Sequence, residues 1–183
     1  MAFQPKGYGI GGAQAELELV LLADSASFSV GEAIEAYSTG YGKNPVKAKP
    51  ALGIIVGFVN QYGAPLQPTA YSAGSATSTD VQSVTTTSSN VSGQLIWALV
   101  NTSVTQKYSV TVNGTVNTTT NSGRGHLWVS VDSDNTSYGR VLESLCSRTA
   151  VKEWYVVSTD SSDTTRFVVQ LAGSEKLASA LTP

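Results

Sequence analysis

The chain has little with which to do bond chemistry. Its 183 residues hold one histidine (His126), one cysteine (Cys146) and one methionine, and only 13% of them are charged. Acid, base and nucleophilic catalysis need His, Asp, Glu, Lys or Cys side chains converging on one point. Metal sites draw on much the same residues. The composition therefore sets the expectation of a protein that is not an enzyme and that carries no cofactor and no metal. Eleven Lys and Arg against thirteen Asp and Glu leave a net charge of −2. So few cations cannot assemble a basic face, so nucleic acid is not expected as a partner. A single cysteine excludes an internal disulfide framework and most thiolate metal sites. Cys146 reads as a small buried thiol.

The first residues lack a basic segment leading into an apolar one, so no secretory signal is read there. The run from Leu17 to Ala23 is far too short to cross a membrane. The expectation is a chain made and used without export, with no membrane partner.

What is present is a core and many turns. The hydrophobic fraction is 41%, enough for one packed domain. Residues 1–14 read as a Gly-rich N-terminal arm, with Gly7, Gly9, Gly11 and Gly12 letting the backbone run close to another surface. Phe3, Tyr8 and Ile10 stand between or before these glycines and are the candidate partner-binding residues. No Lys-Ser or Lys-Thr follows, so the segment does not read as a phosphate loop. Residues 15–183 read as a single β domain.

Glu16 and Glu18 alternate with Leu17 and Leu19, which favours a strand over the helix that Ala and Leu content would allow. The two carboxylates share one face and read as a solvated strand edge. A short strand is expected at 33–37. Residues 52–59 are apolar and β-branched and predict a buried strand, with Gly53 and Gly57 marking bulges or close backbone approach. Residues 72–93 are rich in Ser and Thr and read as a long polar loop or an edge strand. Further strands are expected at 94–100, 108–116, 126–132, 140–143, 154–158 and 166–171. Asn113-Gly114 is a hairpin signal, and 160–163 reads as a turn. The tail from Ser174 to Leu181 reads as a helical turn or two. The fold class is all-β: a small β-barrel, β-tulip-like or β-sandwich domain with an extended N-terminal arm.

Several features carry both a functional and a plain reading. His126 has no Gly-x-Ser-x-Gly elbow elsewhere in the chain to serve and reads as a structural or surface histidine. Asp132, Asp134 and Asn135 begin like a calcium loop. Ser137 stands where that loop needs glycine, so the stretch reads as a hairpin turn rich in Asp and Asn. Five Asn-x-Ser/Thr sequons begin at Asn90, Asn101, Asn113, Asn117 and Asn135, as chance allows in so Ser- and Thr-rich a chain. Trp97, Trp128 and Trp154 each lie in an apolar strand. Core packing suits them, and a carbohydrate-stacking platform would need them exposed on one face. Tyr8, Tyr37, Tyr41, Tyr62 and Tyr71 lie in or near glycine-bearing segments and suit either loops or interfaces.

The stretch Ala23-Asp24-Ser25-Ala26-Ser27-Phe28-Ser29-Val30-Gly31-Glu32-Ala33, the run Leu52-Gly53-Ile54-Ile55-Val56-Gly57-Phe58-Val59 and the Ser/Thr-rich strands resemble capsid decoration (cement) proteins of tailed bacteriophages. The resemblance is one of organisation over most of the chain, and no functional residue is carried over from it. It implies a virion protein on the outside of an icosahedral head, made in the host cytoplasm. Its partners would be the major capsid protein and further copies of itself, commonly as trimers. The alternatives are a tail or fibre subunit and a carbohydrate-binding β-sandwich.

Overall fold

A computed structural model describes residues 3–8, 16–36, 40–45, 51–66, 83–114, 128–129, 138–142, 154–160 and 163–171. Among these are thirteen strands and one helical turn. The first seven strands are β1 (Gln4–Tyr8), β2 (Leu17–Leu21), β3 (Ser27–Ser29), β4 (Ala33–Ala36), β5 (Gly42–Lys43), β6 (Gly53–Asn60) and β7 (Ser83–Thr85). The turn α1 (Asn90–Gly93) follows. The rest are β8 (Ile96–Asn101), β9 (Gln106–Asn113), β10 (Trp128–Val129), β11 (Arg140–Leu142), β12 (Trp154–Asp160) and β13 (Asp163–Leu171). The domain is all-β.

The first sheet runs β1-β9-β13-β12-β10, with β11 parallel to β9. Strict alternation in β9 puts Tyr108, Val110 and Val112 on one face. They are buried with Trp154 and Val156 of β12 and Phe167, Val169 and Leu171 of β13. On the opposite face, Ser109 Oγ donates to Asp160 Oδ2 at 2.5 Å and accepts from Arg166 Nε at 2.7 Å. Ser109 and Asp160 are themselves buried, so this triad ties three strands together.

The second sheet runs β2-β8-β6-β4-β5, and a ribbon of β3 and β7 stands beside it. One face of this sheet carries Val20, Leu22, Ile34, Ile55, Phe58, Ala98 and Val100, packed with Phe28 of the ribbon. On the other face Ile54 and Ala33 join the core of the first sheet. Among the described residues, the two sheets therefore share a core along the β4 and β6 side. Both glycines singled out in β6 have the expected roles. A Cβ on Gly53 would strike the Asn101 carbonyl oxygen, and the register shifts between Ile55 and Gly57 mark a bulge.

The N-terminus departs from the sequence reading. Residues Gln4–Tyr8 pair antiparallel with β9 of the same chain, and Phe3 is 3% exposed. Its ring lies 4.8 Å from that of Trp154 and 6.1 Å from that of Tyr108. The Phe3 N–H donates to the Gly31 carbonyl at 2.8 Å. Gly31 has φ 82°, a left-handed conformation that suits glycine in this turn. Burying an aromatic ring beside two others outweighs leaving it free as an anchor. Pro5 is tolerated because β1 is an edge strand.

Candidate functional site

The candidate site grows out of the half of the second sheet that the first does not cover. Residues paired across strands point to the same face. Leu17 pairs with Asn101, Leu19 with Leu99, and Leu21 with Trp97. Across β8, Leu99 pairs with Gly57 and Trp97 with Val59. Asn101 and Ile54 continue the first row to Ala33, under the first sheet. The other two rows run into the open. Leu17 is 49% exposed and Leu19 56%, and Leu21, Val59, Trp97 and Leu99 are half-buried. Val56, in the bulge, is also exposed. A Cβ on Gly57 would meet nothing within 4 Å, so the middle of this face is open space.

At its far end the face deepens into a groove of about 550 Å³, walled by the turn after β6 and the corner between α1 and β8. Asn60 builds the first wall. Its Oδ1 accepts the N–H groups of Tyr62 and Ala64 at 2.9 and 3.0 Å. Asn90 builds the second. Its side chain is buried, donates Nδ2 to the Leu22 and Ile96 carbonyls, and accepts the Ile96 N–H at 2.9 Å. Sequence reasoning took Asn90 for a chance sequon and missed both this role and the helical turn. Its buried amide is out of reach of a glycosylating enzyme in the folded chain. Trp97 Nε1 donates to the Gln94 carbonyl at 3.0 Å, which fixes the indole across the corner.

The candidate anchors are not brought together. Phe3 belongs to the core and so is not a free anchor. Tyr8 is in β1, its backbone paired with Gln106, and its side chain is outside what the structure describes. Ile10 lies outside the described residues, as do His126, Cys146, Asp132, Asp134, Asn135, Tyr37 and Tyr71. The tryptophans divide. Trp154 is wholly buried, Trp97 lies on the open face, and the Trp128 side chain is outside the description. Tyr62 is 83% exposed at the groove, and Tyr41 is half-buried. Glu16 and Glu18 are exposed, and Glu18 Oε1 accepts from Thr102 Oγ1 at 3.1 Å. Among the described residues no three of His, Cys, Asp and Glu are grouped as a metal site would require.

Two carboxyl groups are displaced from their ordinary titration. Burial raises the pKa of Glu32, even though its carboxylate accepts the Ser29 N–H at 2.9 Å. Asp163 is exposed, and its pKa is lowered by hydrogen bonds from the Thr165 hydroxyl and N–H. Glu32 lies in the turn before β4 and Asp163 is the first residue of β13, and neither belongs to the rows of the open face.

No family model matches the chain, and neither curated proteins nor solved structures give a match.

Proposed function

We propose that the protein is a non-enzymatic structural subunit of a virion: a decoration protein on the outer surface of an icosahedral phage capsid. The observation that carries this reading is the open apolar half of the second sheet. Leu17, Leu19, Leu99 and Trp97 form a sheet face of the kind that a second layer ordinarily covers. Burying a leucine side chain completely stabilises by about 1.5–3 kcal/mol, so covering even this small face favours docking. The resemblance in organisation to decoration proteins names the partner class, the major capsid protein. Oligomers of this chain, perched on repeated sites, would combine modest contacts by avidity.

Docking through this face differs from docking through residues 1–12. Removing that segment also strips Phe3 from the core, so a deletion confounds folding with binding. The test is the copy number of this 19.1 kDa chain in purified particles, measured by quantitative mass spectrometry. A fixed ratio to the major capsid protein, in the hundreds of copies, supports a shell component. A handful of copies assigns it to the tail, and absence from particles overturns the virion reading.

A further inference from the structure

The geometry points to a further capacity at one end of the open face: the groove beside Trp97, which shares Trp97 and Leu19 with that face, binds a neutral sugar. Two aromatic rings, Trp97 and Tyr62, stand with Leu19 as the apolar part, and the side-chain amides of Asn60, Gln61 and Gln94 form the polar part. None of the residues lining the groove is charged. The volume lies within the about 300–1,000 Å³ range of small-ligand sites.

The rigidity is placed where a stacking site needs it. The indole is held by its bond to the Gln94 carbonyl, so little side-chain freedom remains to be lost on binding. Gln94 itself is fixed at φ 50° as the left-handed residue that ends α1. Asn60 Oδ1 is committed to two turn N–H groups, which leaves Nδ2 as its remaining donor. The side-chain amides of Gln61 and Gln94 and the Tyr62 hydroxyl have no partner among the described residues. The groove thus offers a fixed aromatic face with several uncommitted donors and acceptors at its rim.

That combination selects by chemistry. A wholly apolar occupant would bury these amides without hydrogen bonds, at a cost of about 1–3 kcal/mol per group. An ionic occupant would find no opposite charge in the lining. An extended peptide would need a free strand edge, and the edge strand that lines the groove, β2, turns its unpaired side away from β8 and Trp97. β8 is paired on both sides, by β2 and β6. The end of β6 is bonded on its other side, Asn60 N–H to the Ala64 carbonyl and Leu66 N–H to the Phe58 carbonyl, both at 2.9 Å. A pyranose ring meets every requirement. Its C–H face stacks on the indole, and its hydroxyls exchange hydrogen bonds with the amides. The inference does not depend on the capsid reading.

The test uses the full chain, free of any particle, titrated with maltotriose, cellotriose and triacetylchitotriose, with sialyllactose as the anionic comparison. Binding is read by NMR at the Trp97 indole N–H and the Gln61 and Gln94 amides. The expected result is saturable binding of at least one neutral trisaccharide. Trp97→Ala should weaken it about tenfold or more. Gln94→Ala, at an exposed position that leaves folding intact, should weaken it about threefold or more. The inference is overturned if no neutral trisaccharide saturates these signals, if either variant binds as tightly as the wild type, or if sialyllactose is preferred. It is also overturned if the groove signals respond only to added capsid, which would make the occupant a protein. Because Trp97 and Leu19 belong to both surfaces, the two readings are separated by Gln94→Ala, which lies outside the docking rows, and by Gly57→Lys, which lies outside the groove.

Discussion

One face of the second sheet has two halves with similar chemistry and opposite fates. Along β4 and the start of β6, Ala33 and Ile54 lie under the first sheet and are almost wholly buried. Along β2, β8 and the end of β6, Leu17, Leu19, Leu99 and Trp97 belong to the same face and remain open. The apolar alternation is as regular in one half as in the other. What differs is the cover. Among the described residues, the first half receives its second layer from the first sheet, and the second half receives none. An apolar strand thus states that a face is to be covered without stating by whom.

The sharpest way to break this comparison is to truncate both kinds of residue. Trp154→Ala should destabilise the fold by about 3–5 kcal/mol, and Phe3→Ala by a similar amount, because both rings fill the first core. Leu19→Ala should cost less than about 1 kcal/mol. Urea denaturation of the three variants measures this, and equal losses would show that the open half is covered in the free chain.

A smaller effect tests the corner that shapes the groove. Asn90→Ala removes three hydrogen bonds and takes the side-chain partner from the Ile96 N–H and the Leu22 carbonyl, while the Ile96 carbonyl keeps the Leu22 N–H. A loss of about 2–4 kcal/mol is expected by chemical denaturation. In the first sheet, Ser109→Ala should cost about 1–3 kcal/mol by stripping Asp160 and Arg166 of their shared hydroxyl.

Smaller again are the pH effects, which run in opposite directions. Glu32 binds its proton more tightly folded than unfolded. Its contribution is fully present below the ordinary carboxyl pKa and is lost as pH rises through the raised value. Glu32→Gln should remove that slope from the melting temperature measured across mildly acidic pH. Asp163 behaves conversely. Its contribution is present above the ordinary value and is lost as pH falls through the lowered one. Asp163→Asn should flatten the acid limb only.

Much of the strand content was legible. The Val, Ile, Tyr and Phe alternation in β9, β12 and β13, and the β-branched run of β6, declare strands locally. β2 was legible as a strand because Glu16 and Glu18 alternate with Leu17 and Leu19. β1 was not, because its glycines suggest an arm and its partner β9 lies about a hundred residues away in sequence. The turn α1 was hidden because Asn-Val-Ser-Gly holds no strong helix former, and distant carbonyls hold it through Asn90. The open face had a signal that went unread. Leu95 to Val100 is apolar without interruption, so β8 needs cover on both faces. Only pairing register, a non-local property, reveals that Trp97 faces outward while Trp154 faces the core.

The central claim is that the open half of the second sheet docks on the capsid, and one variant tests it most directly. Gly57→Lys places a charge in the middle of that face, where a side chain meets nothing within 4 Å in the free chain. Wild-type and variant chains would be added to phage capsids stripped of this protein and sedimented together. The account predicts that the wild type saturates the capsids while the variant, with its melting temperature unchanged, stays in solution. A variant that sediments at the wild-type ratio would contradict it.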